Sequence, residues 1–225
     1  MGKDHFYNTM KGYTKPVALI VAILLIDQLS KIWVKLSMTI GQSHHILGKF
    51  FQIHFIENNG MAYGMEFGGD YGKLFLTVFR ILAVAGIGYG LHYMIKNKYN
   101  RGFILNVALI LAGALGNIID SAFYGVIFSE STWYDKATLF PAGGGYSSFL
   151  HGKVVDMLYF PLIEGTFPTW VPFWGGEEFL FFRPVFNVAD SAISIGVVLI
   201  LLFQKRYFKT EKEEKPSIHS EIVED

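Results

Sequence analysis

Residues 185–204 read VFNVADSAISIGVVLILLFQ. About 20 apolar residues suffice to carry a helix across a bilayer, and this run has that length. Its opening, FNVADSAI at 186–193, nevertheless contains Asn187 and Asp190. An ionisable carboxyl inside a membrane helix costs about 2.5–3.5 kcal/mol even on lenient insertion scales, so Asp190 needs a partner or a task.

Three further runs share this apolar character: 17–36 (VALIVAILLIDQLSKIWVKL), 74–95 (LFLTVFRILAVAGIGYGLHYMI) and 103–123 (FILNVALILAGALGNIIDSAF). The first is too long and too polar at its far end for a cleaved signal peptide, and no small-residue cleavage site follows it. Four spans make the expected class an all-α polytopic membrane protein. Composition agrees: of 225 residues, 52% are hydrophobic and 17% charged, where soluble domains have about a quarter charged. Zero net charge gives a nucleic-acid partner no electrostatic support. The absence of cysteine removes disulfides, thiolate nucleophiles and Cys-ligated metals.

Lysine and arginine set the expected orientation. Lys3, Lys11 and Lys15 precede the first span, Lys96, Lys98 and Arg101 lie in the short link after the second, and Lys205, Arg206, Lys209, Lys212 and Lys215 follow the fourth. The two longer connections hold only Lys49, Lys73, Lys136, Lys153 and Arg183. Both termini are therefore expected in the cytoplasm, with 37–73 and 124–184 outside. Residues 1–204 then form a single membrane domain, and 205–225 a charged, solvated cytoplasmic tail.

Within 37–73, KFFQIHFIENNG alternates and is aromatic-rich, suiting a short strand that ends at a turn. The 124–184 connection is rich in Gly, Pro and aromatics, and loops of such length tend to be functional. Its run FPTWVPFWGGEEFLFF at 167–182 suits either a segment lying flat at the lipid interface or an aromatic belt. Ala112, Gly113 and Gly116 in the third span are read as packing residues.

Polar residues converge on the outer ends of the spans. Asp27 and Lys31 share one helical face at i, i+4. Asn117 and Asp120 lie at i, i+3 in GNIID, and Asn187 and Asp190 at i, i+3 in FNVAD. Asn58 precedes Gly60 in the outer loop, and Asp156 lies in the alternating HGKVVDMLYF. Two Asn–Asp pairs at one membrane level, with further carboxyls at hand, point to a site. No GxSxG or Ser-x-x-Lys serine is present. His44, His45, His54 and His151 lack ligand spacing and read as ordinary loop residues, so no metal or other cofactor is expected. Carboxylates remain, and they suit acid–base hydrolysis. Two close aspartates retain one proton between them near neutral pH: one member activates water while the other hydrogen-bonds the scissile carbonyl and later protonates the leaving amine.

DQLSK at 27–31, NNGMAYG at 58–64, GALGNIID at 113–120, GKVVDMLYF at 152–160 and FNVADSAI at 186–193 together resemble the lipoprotein signal peptidases, the signal peptidase II family of bacteria. All five occur in the family's order. The resemblance implies a membrane aspartyl protease that removes signal peptides from diacylglyceryl-modified prolipoproteins, cutting before the lipidated cysteine. It implies residence in the bacterial inner membrane, with the site at the outer face, contact with membrane lipid, and inhibition by globomycin-like compounds. The family's catalytic pair falls on Asp156 and Asp190. Its supporting positions fall on Asn58, Gly60, Asn117, Asp120 and Asn187, and its first-span motif on Asp27 and Lys31. The 37–73 connection should form a small sheet that cradles substrate.

Two departures stand out. The family usually has GNxxDR, whereas Ser121 follows Asp120 here. Arg80 in span two either supplies the missing charge near Asp120 or snorkels to the interface. The chain also inserts residues 122–153, an enlarged outer loop that is either a lid or docking surface or a tolerated elaboration, with GGG at 143–145 suggesting a mobile tip.

A proton-coupled transporter using Asp27, Asp120 and Asp190 as a relay is the competing class. Against it, no acidic residue lies on the cytoplasmic half of a span, and no interrupted-helix pair or repeat is visible. A presenilin-type protease would carry GxGD, and FGGD at 67–70 has the wrong spacing.

Overall fold

The computed structural model describes residues 3–48, 50–59, 69–161, 163–181 and 184–208. Gly60 and the charged tail beyond 208 lie outside the described residues. Helix α1 (Lys3–Ser37) runs through Pro16. The hairpin β1 (Ser43–Leu47) and β2 (Phe51–Asn58) follows, then α2 (Gly69–Lys96) and α3 (Arg101–Ile119). A π-helical turn, Asp120–Tyr124, and the short α4 (Gly125–Ile127) extend α3. Strands β3 (Val154–Tyr159), β4 (Ile163–Thr166), β5 (Glu178–Phe181) and β6 (Val185–Phe186) precede α5 (Val188–Tyr207).

Among the described residues, four helices are long and apolar enough to cross a membrane: Lys11–Ser37, Leu74–Lys96, Arg101–Ile127 and Val188–Tyr207. The expected spans are all present. The small sheet expected beside the helices is present and the all-α label covers only the spans: among the described residues, six strands form two antiparallel sheets, ordered β1-β2-β3-β6 and β4-β5. The fourth span also begins later than 185. Val185 and Phe186 pair with Tyr159 and Leu158 as a strand, and the helix starts only after its cap at Asn187.

α3 is the central helix and packs against α1, α2 and α5. Small residues allow this approach: a Cβ at Gly113 would lie 2.2 Å from the Ala189 carbonyl oxygen, and one at Gly116 would lie 2.6 Å from Asp27 Oδ2. The packing role expected for these glycines is thus realised at the α1–α3–α5 contact. At the end of the bundle away from the sheet, Leu91, Ile95, Ile104, Val107 and Leu111 form an apolar core. Polar ties fix that end: Tyr13 meets His92 at 2.8 Å, and Asn106 donates to the Tyr207 hydroxyl at 2.9 Å. The outward faces of the helices carry exposed Leu29, Phe75, Leu82, Leu201 and Leu202, the apolar surface that lipid would cover.

At the other end, β3 is buried along its first four residues. A second core of Val34, Met38, Phe55, Tyr124, Phe128, Val155 and Met157 joins α1, the sheet and the insertion. The insertion is folded back onto the end of α3. The N–H groups of Ser147, Leu150 and Gly152 donate to the carbonyls of Gly125, Ala122 and Ser121, which satisfies groups that the π turn releases from ordinary helical pairing. Gly143 and Gly144 meet open space, whereas Gly145 is pressed against the backbone of Gly125 and Val126.

Candidate active site

Helix α5 begins with a capping box that explains the form of FNVAD. The Asn187 side chain accepts from Asp190 N at 2.9 Å, and the Asp190 carboxylate accepts from Asn187 N at 3.4 Å. A third donor of this turn, Ala189 N, is taken by Asp27 Oδ1 at 2.8 Å. Helix ends leave such N–H groups unpaired, and an anionic side chain there also meets the positive end of the helix dipole.

The same asparagine joins the two expected catalytic aspartates. Asn187 Nδ2 donates to Asp156 Oδ1 at 2.8 Å, and also lies 3.3 Å from the Val155 carbonyl and 3.2 Å from Asn117 Oδ1. Asn117 Nδ2 donates to Asp190 Oδ1 at 2.7 Å. Asn58 Nδ2, on β2, donates to Asp156 Oδ2 at 3.3 Å. Strand register explains that contact, because Asn58 faces Val154 and Ile56 faces Asp156 across the β2–β3 pair. Asp156 is 3% exposed. Burial and the neighbouring Asp190 charge push its carboxyl up to about 7, against the opposing pull of hydrogen bonds from Asn58 and Asn187.

Behind the pair lies an ionic layer. Asp27, Lys31 and Asp120 are each 0% exposed. Lys31 Nζ reaches Asp27 at 2.8 Å and Asp120 at 2.9 Å, and donates to Asn117 Oδ1 at 3.0 Å. The last contact fixes the Asn117 amide so that its Nδ2 points at Asp190. Asp120 Oδ2 accepts from Val155 N at 3.2 Å, which pins the strand residue before Asp156. A buried charge stripped of partners would be strongly destabilising, and here each has several.

Eight of the expected site residues thus converge: Asn58, Asp156, Asn117, Asp120, Asn187, Asp190, Asp27 and Lys31. Arg80, half-buried on α2, lies within electrostatic reach of Asp190, then of Asp156 and Asp120. Ser121, at the position where the family usually has arginine, turns its hydroxyl back to the Asn117 carbonyl at 3.0 Å. Among the described residues, no group of three or more His, Cys, Asp or Glu side chains is arranged to hold a metal ion.

Sequence reasoning missed Gln28. Its amide nitrogen donates to Asp27 Oδ2 at 3.0 Å and Asp120 Oδ1 at 2.9 Å, and its carbonyl accepts from the Tyr124 hydroxyl at 3.2 Å. A glutamine beside Asp27 inside an apolar run was the available signal. Tyr124 had none, since its place depends on the π turn. Also missed was a second polar cluster, in which Lys35 pairs with Glu57 and Ser131 donates to Glu57 Oε1 at 3.0 Å.

The family model described as signal peptidase (SPase) II matches residues 19–205. A lipoprotein signal peptidase of Porphyromonas gingivalis is 53% identical over 209 residues, covering 92% of this chain and 90% of the relative. One from Amoebophilus asiaticus is 39% identical over 182 residues, covering 80% of this chain and 72% of its own. A solved structure described as a bacterial membrane enzyme, obtained by the in meso method, aligns with a TM-score of 0.55 at 25% identity, covering 89% of this chain and 94% of that one. The transporter alternative finds no support among these relatives.

Proposed function

The chain belongs to the signal peptidase II family, and from that premise we propose that it removes signal peptides from diacylglyceryl-modified prolipoproteins with Asp156 and Asp190 as the catalytic pair. It is a multi-pass membrane protein and an aspartic peptidase by family. The observation that carries the site assignment is the Asn187 bridge, which caps Asp190 and donates to Asp156 at 2.8 Å.

The pair shares one proton, a property of the two carboxyls together. The ionised member draws a proton from water. The protonated member hydrogen-bonds the scissile carbonyl and then delivers its proton to the leaving amine. Asn117, Asn58 and Asn187 donate to the carboxylate oxygens and hold their orientation, so the reacting groups need no rearrangement as charge develops. Lys31 pairs with both Asp27 and Asp120 beneath the pair and fixes the Asn117 amide between them and Asp190. Arg80 supplies positive potential to the pair and to Asp120, the part its place on α2 suits now that Ser121 stands after Asp120.

The sheet β1-β2-β3-β6 cradles the substrate at the outer face of the inner membrane, both termini lie in the cytoplasm, and globomycin-like inhibitors occupy the same site. The lysine and arginine distribution supports that orientation. The precursor arrives within the bilayer, its acyl chains remain in lipid, and the bond beyond its signal helix meets the pair near the interface, where water can reach. The test is cleavage of a lipidated prolipoprotein and its unmodified form by purified protein. Cleavage of the lipidated form alone, leaving the modified cysteine as the new N-terminus and blocked by a globomycin-like peptide, is expected. Equal cleavage of both forms would refute the substrate assignment.

A further inference from the structure

Helix α1 carries Asp27, Lys31 and Lys35 at successive i, i+4 positions, so one face is a polar stripe running from the ionic layer to the sheet. Lys31 is absorbed by the site described above, but Lys35 is not. It is fully buried and ion-paired with Glu57 of β2, and its Nζ donates to Ser131 Oγ at 2.9 Å. Ser131 in turn donates to Glu57 Oε1 at 3.0 Å. The Tyr146 ring covers Lys35 Nζ at 4.9 Å from the ring centre, and the Tyr146 hydroxyl accepts from Lys153 N at 2.7 Å. Lys153 Nζ completes the cluster 3.7 Å from Glu57 Oε2. Ser131, Tyr146 and Lys153 all belong to the 122–153 insertion. Its Thr132 carbonyl accepts from Ile40 N at 2.9 Å, and Trp133 packs over Gly41, so the insertion sits against the turn that leads into the sheet.

Glu57 immediately precedes Asn58, the residue that donates to Asp156. We infer that Glu57 is a positioning residue of the proposed reaction: clamped between Lys35 of α1 and Ser131 of the insertion, it fixes the end of β2 so that the Asn58 amide meets Asp156. The insertion is then a scaffold of the site rather than a lid over it. The inference rests on the assignment of Asp156 and Asn58 above. Glu57 holds backbone register through buried polar contacts, and a displacement of about 1 Å in a supporting group can cost about a hundredfold in rate.

The test compares Glu57→Gln, Ser131→Ala, Asn58→Ala and the Glu57→Gln/Asn58→Ala double variant, with steady-state kinetics across pH and thermal midpoints. Asp156 faces Asp190 from α5, Lys31 from α1 and Arg80 from α2, with Asp120 bound to the neighbouring Val155 N–H; these groups are unaltered in every variant. Asn58 favours the ionised carboxyl, so losing its contact moves the alkaline limb of the rate profile upward. Glu57→Gln is expected to lower kcat about tenfold with KM nearly unchanged, and to move that limb in the same direction as Asn58→Ala. The double variant should move it no further, because the two act through one contact. Ser131→Ala, which keeps the ion pair, should show the same shift to a smaller degree, and serves if Glu57→Gln fails to fold. A limb that stays in place while kcat falls only with the folded fraction would overturn the inference and leave the peptidase reading intact. So would additive shifts in the double variant. Wild-type rate and pH profile in Asn58→Ala would overturn both the inference and the site assignment beneath it.

Discussion

Asp156 is the residue whose surroundings say most about pH. Burial and the Asp190 charge raise its carboxyl to about 7, so the proton is held below that value and lost as pH rises through it. In the unfolded chain the same carboxyl titrates in the ordinary range near 4. Two consequences follow with the same sign. The contribution of the Asp156 proton to stability is full below about 4 and is lost between there and about 7. Activity, which needs one shared proton, is expected to decline above about pH 7 as that proton leaves; a rate profile still rising to pH 9 would refute it. Asn187 shows how a residue can be legible for one reason and needed for two. Its spacing from Asp190 flagged a polar site, and the same spacing is the signature of an N-cap with its acidic partner. Placing the span from 185 overlooked that second meaning.

Elements were legible wherever the pattern was local. The four apolar runs, the strand in KFFQIHFIENNG and the alternating VVDMLY can each be read without knowing their neighbours. The π turn at Asp120–Tyr124 could not, because GNIIDSAFYG is as compatible with unbroken helix, and the carbonyls of Ser121 and Ala122 in the turn are taken by the N–H groups of the distant Gly152 and Leu150. The Lys35–Glu57 pair was hidden for the same reason: its halves come from a helix and a strand, and the serine that completes it lies in the insertion. Close approach of α3 to α5 is a property of the pair of helices and gives a sharp stability prediction. A Cβ at Gly113 would sit 2.2 Å from the Ala189 carbonyl, in the first turn of α5, while nothing lies within 4 Å of one at Gly86. Gly113→Ala is expected to destabilise the folded protein by about 1–3 kcal/mol through overpacking and to reduce turnover, since α5 carries Asp190. Gly86→Ala should leave both unchanged. Equal thermal midpoints for the two variants in detergent would contradict this packing account.

For the whole molecule, the absence of cysteine makes orientation directly measurable. A single cysteine at Gly144, in the open tip of the insertion, is expected to react with a membrane-impermeant maleimide in intact cells with a permeabilised outer membrane. One at Lys98, in the short link between α2 and α3, should react only after lysis; the reverse pattern would invert the assigned topology. The fold brings Asp27, Lys31, Asn58, Asn117, Asp120, Asp156, Asn187 and Asp190, drawn from five separated sequence motifs, into one cluster at the end of a membrane bundle where a small sheet meets the helices. Asp156 and Asp190 are proposed to perform the cleavage together. The measurement that tests it most directly is single-turnover cleavage of a lipidated prolipoprotein by the wild type, Asp156→Asn and Asp190→Asn, each verified as folded and each assayed in EDTA. Undiminished cleavage by the wild type and a loss of at least about a thousandfold in each variant are expected. Cleavage near the wild-type rate by either folded variant would contradict it.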